Sequence, residues 1–216
     1  MLQTICYNNI SLHDLKTKFG LQRTFDKTFF PEWQLPKLTE ITPEDRAVLD
    51  RVRDAYFNLI EYPPLLEDGV KMVILAPLLN LTGFFLHPFH IKSKYAIKLI
   101  TLDKDLIIEG KIDILILKDQ LWIMVIGSKQ ATFSIEVGLA QILAYMLASN
   151  TPSNCFGMIA IGSSFVFVKL VKAPVPCYAL SQIFALNNPR NELYNVLAIL
   201  RHLECMALSD DLAVAV

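Results

Sequence analysis

Three apolar runs follow one another through the middle of the chain, separated by short polar links. They read HIKSKYAIKLITL from His90, LIIEGKIDILILK from Leu106 and QLWIMVIGSK from Gln120. β-Branched and aromatic residues are frequent in all three, and polar residues partly alternate with apolar ones, as in β-strands. Because the links are short, the pattern predicts three antiparallel strands.

Helical patterns precede these strands. The stretch ITPEDRAVLDRVRDAYFNLIEY predicts a helix, because Thr42 suits the N-cap and Pro43 suits the first helical position. Apolar residues recur along it at helical spacing and are predicted to face the core: Val48, Val52, Tyr56 and Leu59. A second helix is predicted from about Leu66 to Asn80, ended by Gly83.

Further elements are predicted after the three runs. FSIEVGLAQILAYMLAS has helical spacing, and CFGMIAIGSSFVFVKLV predicts two strands around a turn at Gly162, Ser163 and Ser164. The last helix has an apolar face formed by Leu193, Val196, Leu197, Leu200 and Leu203. The order helix, helix, three strands, helix, two strands, helix predicts an α/β sandwich around a mixed sheet.

The length and composition fit one domain. The chain has 216 residues, 53% of them hydrophobic and 19% charged, which is enough apolar material for one packed core. We predict a main domain at residues 41–207, preceded by an irregular extension at 1–40 that packs on the core. Residues 208–216 are predicted to be a fraying tail.

Charge and cysteine content restrict the class of protein. The net charge is −1, so any contact with nucleic acid must come from a local basic patch. Four scattered cysteines without a CxxC pair, and a start without signal-peptide features, predict reduced thiols in a cytoplasmic protein. The most apolar run contains Pro77 and Asn80 and is short for a membrane span, so no membrane association is expected.

Candidate chemistry lies on the second and third strands. Side chains alternate along a strand, so Gly127 and Lys129 should point the same way. If the connection is the three residues 118–120, Asp113 lies opposite Val125 and on the same face as Gly127 and Lys129. A loop of two residues would turn Gly127 to the other face. The functional interpretation therefore requires an odd-length loop.

The ordered set GKID, GSK and QILAY resembles the PD-(D/E)XK nuclease superfamily. That family has an Asp on the second strand, Glu-x-Lys on the third and, in its RecB-like branch, Gln-x-x-x-Tyr on the following helix. Asp113, Lys129, Gln141 and Tyr145 match this pattern, whereas Gly127 stands where the family has Glu or Asp. The resemblance implies a restriction-endonuclease-like three-layer α/β sandwich with a central mixed sheet flanked by helices.

The upstream helix is similar to the N-terminal nuclease domain of type I restriction enzyme R subunits. In that family a Glu precedes an apolar run, as Glu67 precedes APLLNLTGFF here. The similarity covers roughly residues 60–172, and no GxxxxGK[ST] motif of a helicase motor is present, so no nucleotide cofactor is expected. The resemblance implies a nuclease domain without its motor.

The resemblance also implies roles for these residues in metal-dependent hydrolysis of DNA phosphodiester bonds. Mg²⁺ or Mn²⁺ would be held by Asp113, the backbone carbonyl of Ser128 and Glu67. Lys129 would orient the attacking water or offset negative charge in the transition state. Gln141 would position the substrate or the lysine, and Tyr145 would pack or contact the backbone.

Structural explanations compete with each of these roles. Asp113 could form an ion pair with Lys129, since a charge between Ile112 and Ile114 is costly unless it is paired. Gln141 and Tyr145 are often helix-to-core polar contacts. Glu67 could be a charge in the first turn of a helix.

Two functional hypotheses remain open from the sequence. The first is a metal-dependent nuclease of the restriction or repair type that acts on DNA although Gly127 replaces one ligand. The second is a nuclease fold that no longer cuts and serves as a binding or protein-interaction module. In that case it would act as a homodimer or beside a restriction or defence protein.

Overall fold

The computed structural model describes residues 3–6, 10–34, 41–62, 67–100, 106–118, 121–129, 135–149 and 154–209, with the backbone alone at 3–6, 67, 99–100, 106–108, 121–129 and 137. The helices are α1 (Leu12–Phe19), α2 (Pro43–Ile60), α3 (Glu67–Val70), α4 (Ala76–Leu81), α5 (Ile135–Leu147) and α6 (Leu193–Leu208). The strands are β1 (Gln3–Cys6), β2 (Gln22–Arg23), β3 (Phe89–Ile100), β4 (Leu106–Lys118), β5 (Leu121–Lys129), β6 (Asn154–Ile161), β7 (Ser164–Val171), β8 (Cys177–Leu180) and β9 (Phe184–Ala185). A 3₁₀ turn spans Pro31–Trp33.

The described strands form one mixed sheet with the order β1-β4-β5-β6-β7-β8-β2. β3 pairs with β4, and the short β9 pairs with β7. β4 runs antiparallel to its neighbours β3 and β5, as their sequence predicts, and β6 then runs parallel to β5. A crossover through α5 makes this parallel pairing possible, since parallel neighbours need a long connection.

Helices cover the sheet on both faces. One core is shared with α2, α4 and α6 and contains Ile74, Phe156 and Phe167; the other is shared with α1 and α5 and contains Leu143 and Ile159. Burial of apolar side chains on both faces is the main force that holds these layers together. The predicted α/β sandwich of three layers around a mixed sheet is confirmed.

Local sequence signals placed the long helices correctly. Thr42 caps α2 in a capping box with Asp45, and Pro43 is the first helical residue. Val52 and Tyr56 of its predicted apolar face are buried, whereas Val48 and Leu59 are only half-buried. The five predicted core residues of α6 are all buried. Gly162, at the turn between β6 and β7, has a φ of 54°, which glycine adopts without strain.

The second predicted helix is one continuous element with a widened turn in it. A π-helical turn, Lys71–Leu75, joins α3 to α4, and the N–H of Ala76 donates to the carbonyl of Lys71. Pro77 has no N–H to donate to the preceding turn, which accounts for the widening just before it. Gly83 follows the last turn with a φ of 78°, so it ends the helix as predicted.

The prediction that residues 1–40 are irregular is wrong for the described part. β1 pairs in parallel with β4, and β2 pairs in parallel with β8, while α1 contacts α5 between them. Glu32 of the 3₁₀ turn forms a buried ion pair with Lys169 of β7. These strands have only four and two residues, too few for periodicity to identify.

An ion pair joins the helices of one layer. Both carboxylate oxygens of Asp45 accept hydrogen bonds from Arg201 of α6, at 2.6 and 2.9 Å. Arg201 also donates to the carbonyl of Leu81 at the end of α4. The guanidinium therefore connects α2, α4 and α6, and it holds the pKa of Asp45 below its usual value.

Candidate functional site

Strand β4 changes partner part-way along one of its edges. β3 pairs with it from Ile107 to Lys118, so β1 and β5 must share the opposite edge. β1 pairs with residues up to Glu109, and the described pairs with β5 begin at Ile114. The sheet therefore forks over residues 110–113. Asp113 lies at the end of this fork, one residue before the pairing with β5 begins.

The hairpin between β4 and β5 corrects the predicted register. Lys118 pairs with Leu121, so the loop has two residues instead of three. Val125 consequently pairs with Leu115 and not with Asp113. The prediction of an odd-length loop is wrong, because a two-residue turn matches the natural twist of paired strands.

A β-bulge then changes the register again. Leu117 pairs with Trp122 and Ile116 pairs with Met124, which leaves Ile123 as an extra residue on β5. Ile114 pairs with Ile126, and one further step of this register brings Asp113 level with Gly127. The bulge thus places the two positions closer in register than the predicted diagonal.

The alternation of side chains breaks at Asp113. Ile112 packs in the core shared with α5, whereas Ile114 packs against the opposite core, although residues two apart in a strand normally share a face. Strand periodicity cannot therefore give the direction of the Asp113 side chain. Its ion pair with Lys71 reaches the layer of α3 and α4.

The Asp113 carboxylate lies beside a lysine that the motif pattern did not single out. The side chain is 14% exposed, and its Oδ1 is 3.7 Å from the ammonium of Lys71. The same ammonium is 3.4 Å from Oδ1 of Asp68. The widened helical turn begins at Lys71, where π-helical turns often accompany functional sites. The ion pair of Asp113 with Lys129 that the sequence suggested stays a prediction, because the Lys129 side chain is not described; the ion pair that is described joins Asp113 to Lys71.

Gln141 and Tyr145 reach the fork from the face of the sheet that α5 covers. The Nε2 of Gln141 donates to the Tyr145 hydroxyl at 2.7 Å, and that hydroxyl donates to the carbonyl of Lys111 at 2.8 Å. Both side chains are buried. Lys111 lies between the residues of β4 that pair with β1 and those that pair with β5. Tyr145 is therefore packed in the core, and its hydroxyl donates a hydrogen bond to a backbone carbonyl within the fork, close to Asp113.

Tyr145 is neutral near physiological pH. Burial raises its pKa to about 12, and the negative charge of Asp113 contributes in the same direction. A neutral phenol that already donates to a carbonyl is a positioning group rather than a proton acceptor.

Replacing Tyr145 with Phe is expected to lower the free energy of unfolding by about 1–3 kcal/mol, because the Lys111 carbonyl and the Gln141 amide each lose a buried partner. Denaturant unfolding measures this change. The control is Tyr62→Phe, since the Tyr62 side chain is 74% exposed and its hydroxyl should contribute little. Equal stability of the two variants would contradict this role of Tyr145.

The same residue makes stability depend on alkaline pH. A folded-state pKa of about 12 lies above the ordinary value of 10.0, so the stabilisation is complete below about pH 10 and is lost as pH rises towards 12. We expect this part of the alkaline loss to be smaller in Tyr145→Phe. Unfolding midpoints of both proteins across this range provide the measurement.

The remaining predicted site residues are the ligands Glu67 and Ser128 and the catalytic Lys129, of which only the backbone is described. Glu67 is the first residue of α3, and Ser128 and Lys129 end β5, level with Ala160 and Ile161 of β6. The side chains of these three residues lie outside the described part of the structure. The parts of the chain with described side chains contain no group of three His, Cys, Asp or Glu that could hold a metal ion.

Comparison with known proteins does not assign a family. No protein-family model matches the sequence, and no curated protein matches it. In the described ranges, no helix has both the length and the apolar character needed to cross a membrane.

Proposed function

We propose that this chain is a nuclease-like domain that binds DNA phosphodiesters beside Asp113, as its resemblance to PD-(D/E)XK nucleases implies. One observation carries the proposal: a largely buried carboxylate lies at the fork of the sheet, where the Gln141–Tyr145 pair is also fastened. Burying a charge is costly, and charged groups retained at an irregularity of the backbone are frequent in functional sites. Residues matching the family pattern from two elements thus support one site.

The donor set described around Asp113 does not suit Mg²⁺. Mg²⁺ is usually bound through one or two carboxylates together with water and substrate phosphate oxygens. Here the carboxylates of Asp113 and Asp68 are both within 4 Å of the Lys71 ammonium, at 3.7 and 3.4 Å. That ammonium offsets half of their negative charge and would repel a divalent cation. We therefore assign no step of a reaction to a metal.

This ion pair favours a domain that binds DNA without cutting it over an active metal-dependent nuclease. Gly127 supports the same conclusion, because it offers no carboxylate in the position level with Asp113. An ammonium that is 16% exposed beside a carboxylate can still donate a charge-assisted hydrogen bond to a phosphate oxygen. Cleavage would then belong to a partner, such as a restriction or defence protein.

A cytoplasmic location agrees with this proposal. Cys177 and Cys205 are free thiols, one half-buried and the other exposed, and exposed thiols persist in reducing compartments. A second copy of the chain is an alternative partner, and light scattering of the purified protein would identify it.

DNA binding and cleavage by the purified protein test the proposal. We expect binding of labelled DNA in EDTA, no divalent-cation binding by calorimetry, and no cleavage with Mg²⁺ or Mn²⁺. Lys71→Met should weaken DNA binding about tenfold, the effect of losing one charge-assisted contact of about 1.4 kcal/mol.

The controls separate the two forms of the function. Cleavage that is abolished in Asp113→Ala would show an active nuclease and contradict the non-cleaving form. Cleavage that persists in Asp113→Ala would come from a different site or a contaminating enzyme. A wild-type protein that binds neither single- nor double-stranded DNA would overturn the proposal in both forms.

A further inference from the structure

The backbone is strained directly across from Asp113. Ser93 pairs with Ile114 and Tyr95 pairs with Ile112, so Lys94 of β3 lies level with Asp113 of β4. Lys94 has a φ of 49°, the only positive φ of a described residue other than glycine. L-residues avoid this left-handed region because the Cβ crowds the backbone. Such conformations are concentrated at binding and catalytic sites, where the surrounding structure holds them in place.

The strained lysine belongs to a group of cationic side chains on β3 and β4. Lys94, Lys98 and Lys111 are all exposed, and Lys98 and Lys111 line a cleft of about 500 Å³ with Glu109 and Gly110. Glu109 forms an ion pair with Lys98 at 2.9 Å, but both side chains are 50% exposed. A pair as exposed as this contributes little and yields readily to a competing anion.

The position of these lysines relates them to the candidate site. Lys111 precedes Asp113 by two residues, and its carbonyl accepts the Tyr145 hydroxyl. Lys94 and Lys98 lie roughly 13 Å apart along β3, at about 3.3 Å per residue. Three lysines against Glu109 give a local excess of positive charge on a chain whose net charge is −1, because the neighbouring Asp113 carboxylate lies 3.7 Å from the Lys71 ammonium. Such a patch is the electrostatic feature expected of a surface that follows a phosphate backbone.

We infer that Lys94, Lys98 and Lys111 form a phosphate-binding strip that seats the DNA backbone and directs one phosphate towards Lys71 and Asp113. This inference rests on the proposed function and adds the surface through which it operates. The register of β3 with β4 places the strained Lys94 level with Asp113, at the end of the strip nearest the candidate site.

Protection of the sheet edge is the competing explanation for lysines on β3. Lysine on an edge strand discourages pairing with another sheet. This explanation accounts for the exposed lysines of β3, and an irregular backbone at Lys94 also fits it. It does not account for Lys111, which lies on the inner strand β4. It also predicts that removing the lysines causes self-association while leaving DNA affinity unchanged.

The test is the salt dependence of DNA binding, measured by fluorescence anisotropy in EDTA so that no hydrolysis intervenes. Each phosphate contact contributes about 0.9 to the slope of log affinity against log salt for duplex DNA. The triple variant Lys94→Ala, Lys98→Ala, Lys111→Ala should therefore lower the slope by about 2–3 and weaken binding at least tenfold at low salt. A control with the same change in net charge removes three exposed lysines of the N-terminal segment: Lys16, Lys18 and Lys27.

The single variant Lys94→Gly tests whether strain and binding are linked. Glycine adopts a positive φ freely, so this variant should unfold at a higher denaturant concentration than the wild type while binding DNA more weakly. Lys94→Ala removes the same ammonium but keeps the strain. It should match Lys94→Gly in DNA affinity and not in stability.

The outcomes distinguish this inference from the proposed function. If the wild type binds DNA and the triple variant keeps the same salt dependence, the strip is overturned but the proposed function is not. An equal loss of DNA affinity in the N-terminal lysine control has the same meaning. Self-association of the strip variant with unchanged affinity does so as well and supports edge protection. A wild type that binds no DNA overturns both.

Discussion

The double variant Gly127→Glu, Lys71→Met is expected to bind Mn²⁺ at a site where the wild-type protein shows no binding. The first change adds a carboxylate level with Asp113, and the second removes the ammonium 3.7 Å from its Oδ1. Two carboxylates with water ligands can hold a hard divalent cation. We expect a dissociation constant on the order of 10⁻³ M or tighter by calorimetry, which is the range of modest oxygen-ligand sites.

The single variants and a third substitution control this experiment. Gly127→Glu alone retains the competing ammonium, and Lys71→Met alone retains only one carboxylate on the sheet, so each should bind Mn²⁺ at least tenfold more weakly. Asp113→Asn in the double-variant background should abolish binding. Mn²⁺ binding that is indifferent to Asp113→Asn would place the ion elsewhere and contradict the geometry proposed for the site.

Asp45→Asn is expected to produce the largest loss of stability among these variants, about 3 kcal/mol in the free energy of unfolding. Removing one member of a buried ion pair costs about 3–5 kcal/mol, and here the side chains are 9% and 21% exposed, which favours the lower end. The variant also weakens the capping box of α2. Denaturant unfolding measures the loss, with Asp54→Asn, an exposed position of the same helix, as the control.

The pH dependence of stability gives a second measurement of this pair. The hydrogen bonds from Arg201 lower the pKa of Asp45 from its ordinary value of 3.8. A lowered pKa means that the stabilisation is complete above about pH 4 and is lost as pH falls through the folded-state value. The acid loss should therefore be smaller in Asp45→Asn than in wild type. Parallel acid curves would contradict a contribution from the ionised pair.

Local rules were sufficient where one element determines its own form. Thr42 and Asp45 form the capping box that starts α2, Gly83 ends α4, and the apolar face of α6 follows from the spacing of its residues alone. Each of these signals acts over one helical turn and needs no information from the rest of the fold. The long strands β3, β4 and β5 were likewise evident from their composition.

Register could not be predicted in the same way. The loop between β4 and β5 has two residues, and the extra residue at Ile123 then changes which positions are level. A bulge depends on how both strands twist and pack, so the sequence of one strand does not reveal it. Asp113 and Gly127 are level because the loop has two residues and β5 has an extra residue at the bulge. The prediction assumed a loop of three residues and no bulge.

The candidate site was also only partly predictable. The spacing of Gln141 and Tyr145 correctly indicates that they share a helical face, and their hydrogen bond follows from it. Lys71 and Lys94 were missed, because only tertiary structure places Lys71 beside Asp113 and Lys94 level with it. No sequence motif marks either lysine. In the sequence, nothing distinguishes a lysine at the start of the apolar run before Pro77, or a lysine between Ser93 and Tyr95, from other lysines.

The parallel strands contributed by the N-terminal segment have a consequence for how the protein folds during its synthesis. β2 pairs with β8, so Gln22 and Arg23 are synthesised long before their partners Cys177 and Tyr178. The ion pair of Glu32 with Lys169 has the same property. Contacts between distant parts of a chain slow folding. β2 therefore has no partner strand in the nascent chain until β8 has been synthesised, and this edge of the sheet forms only then.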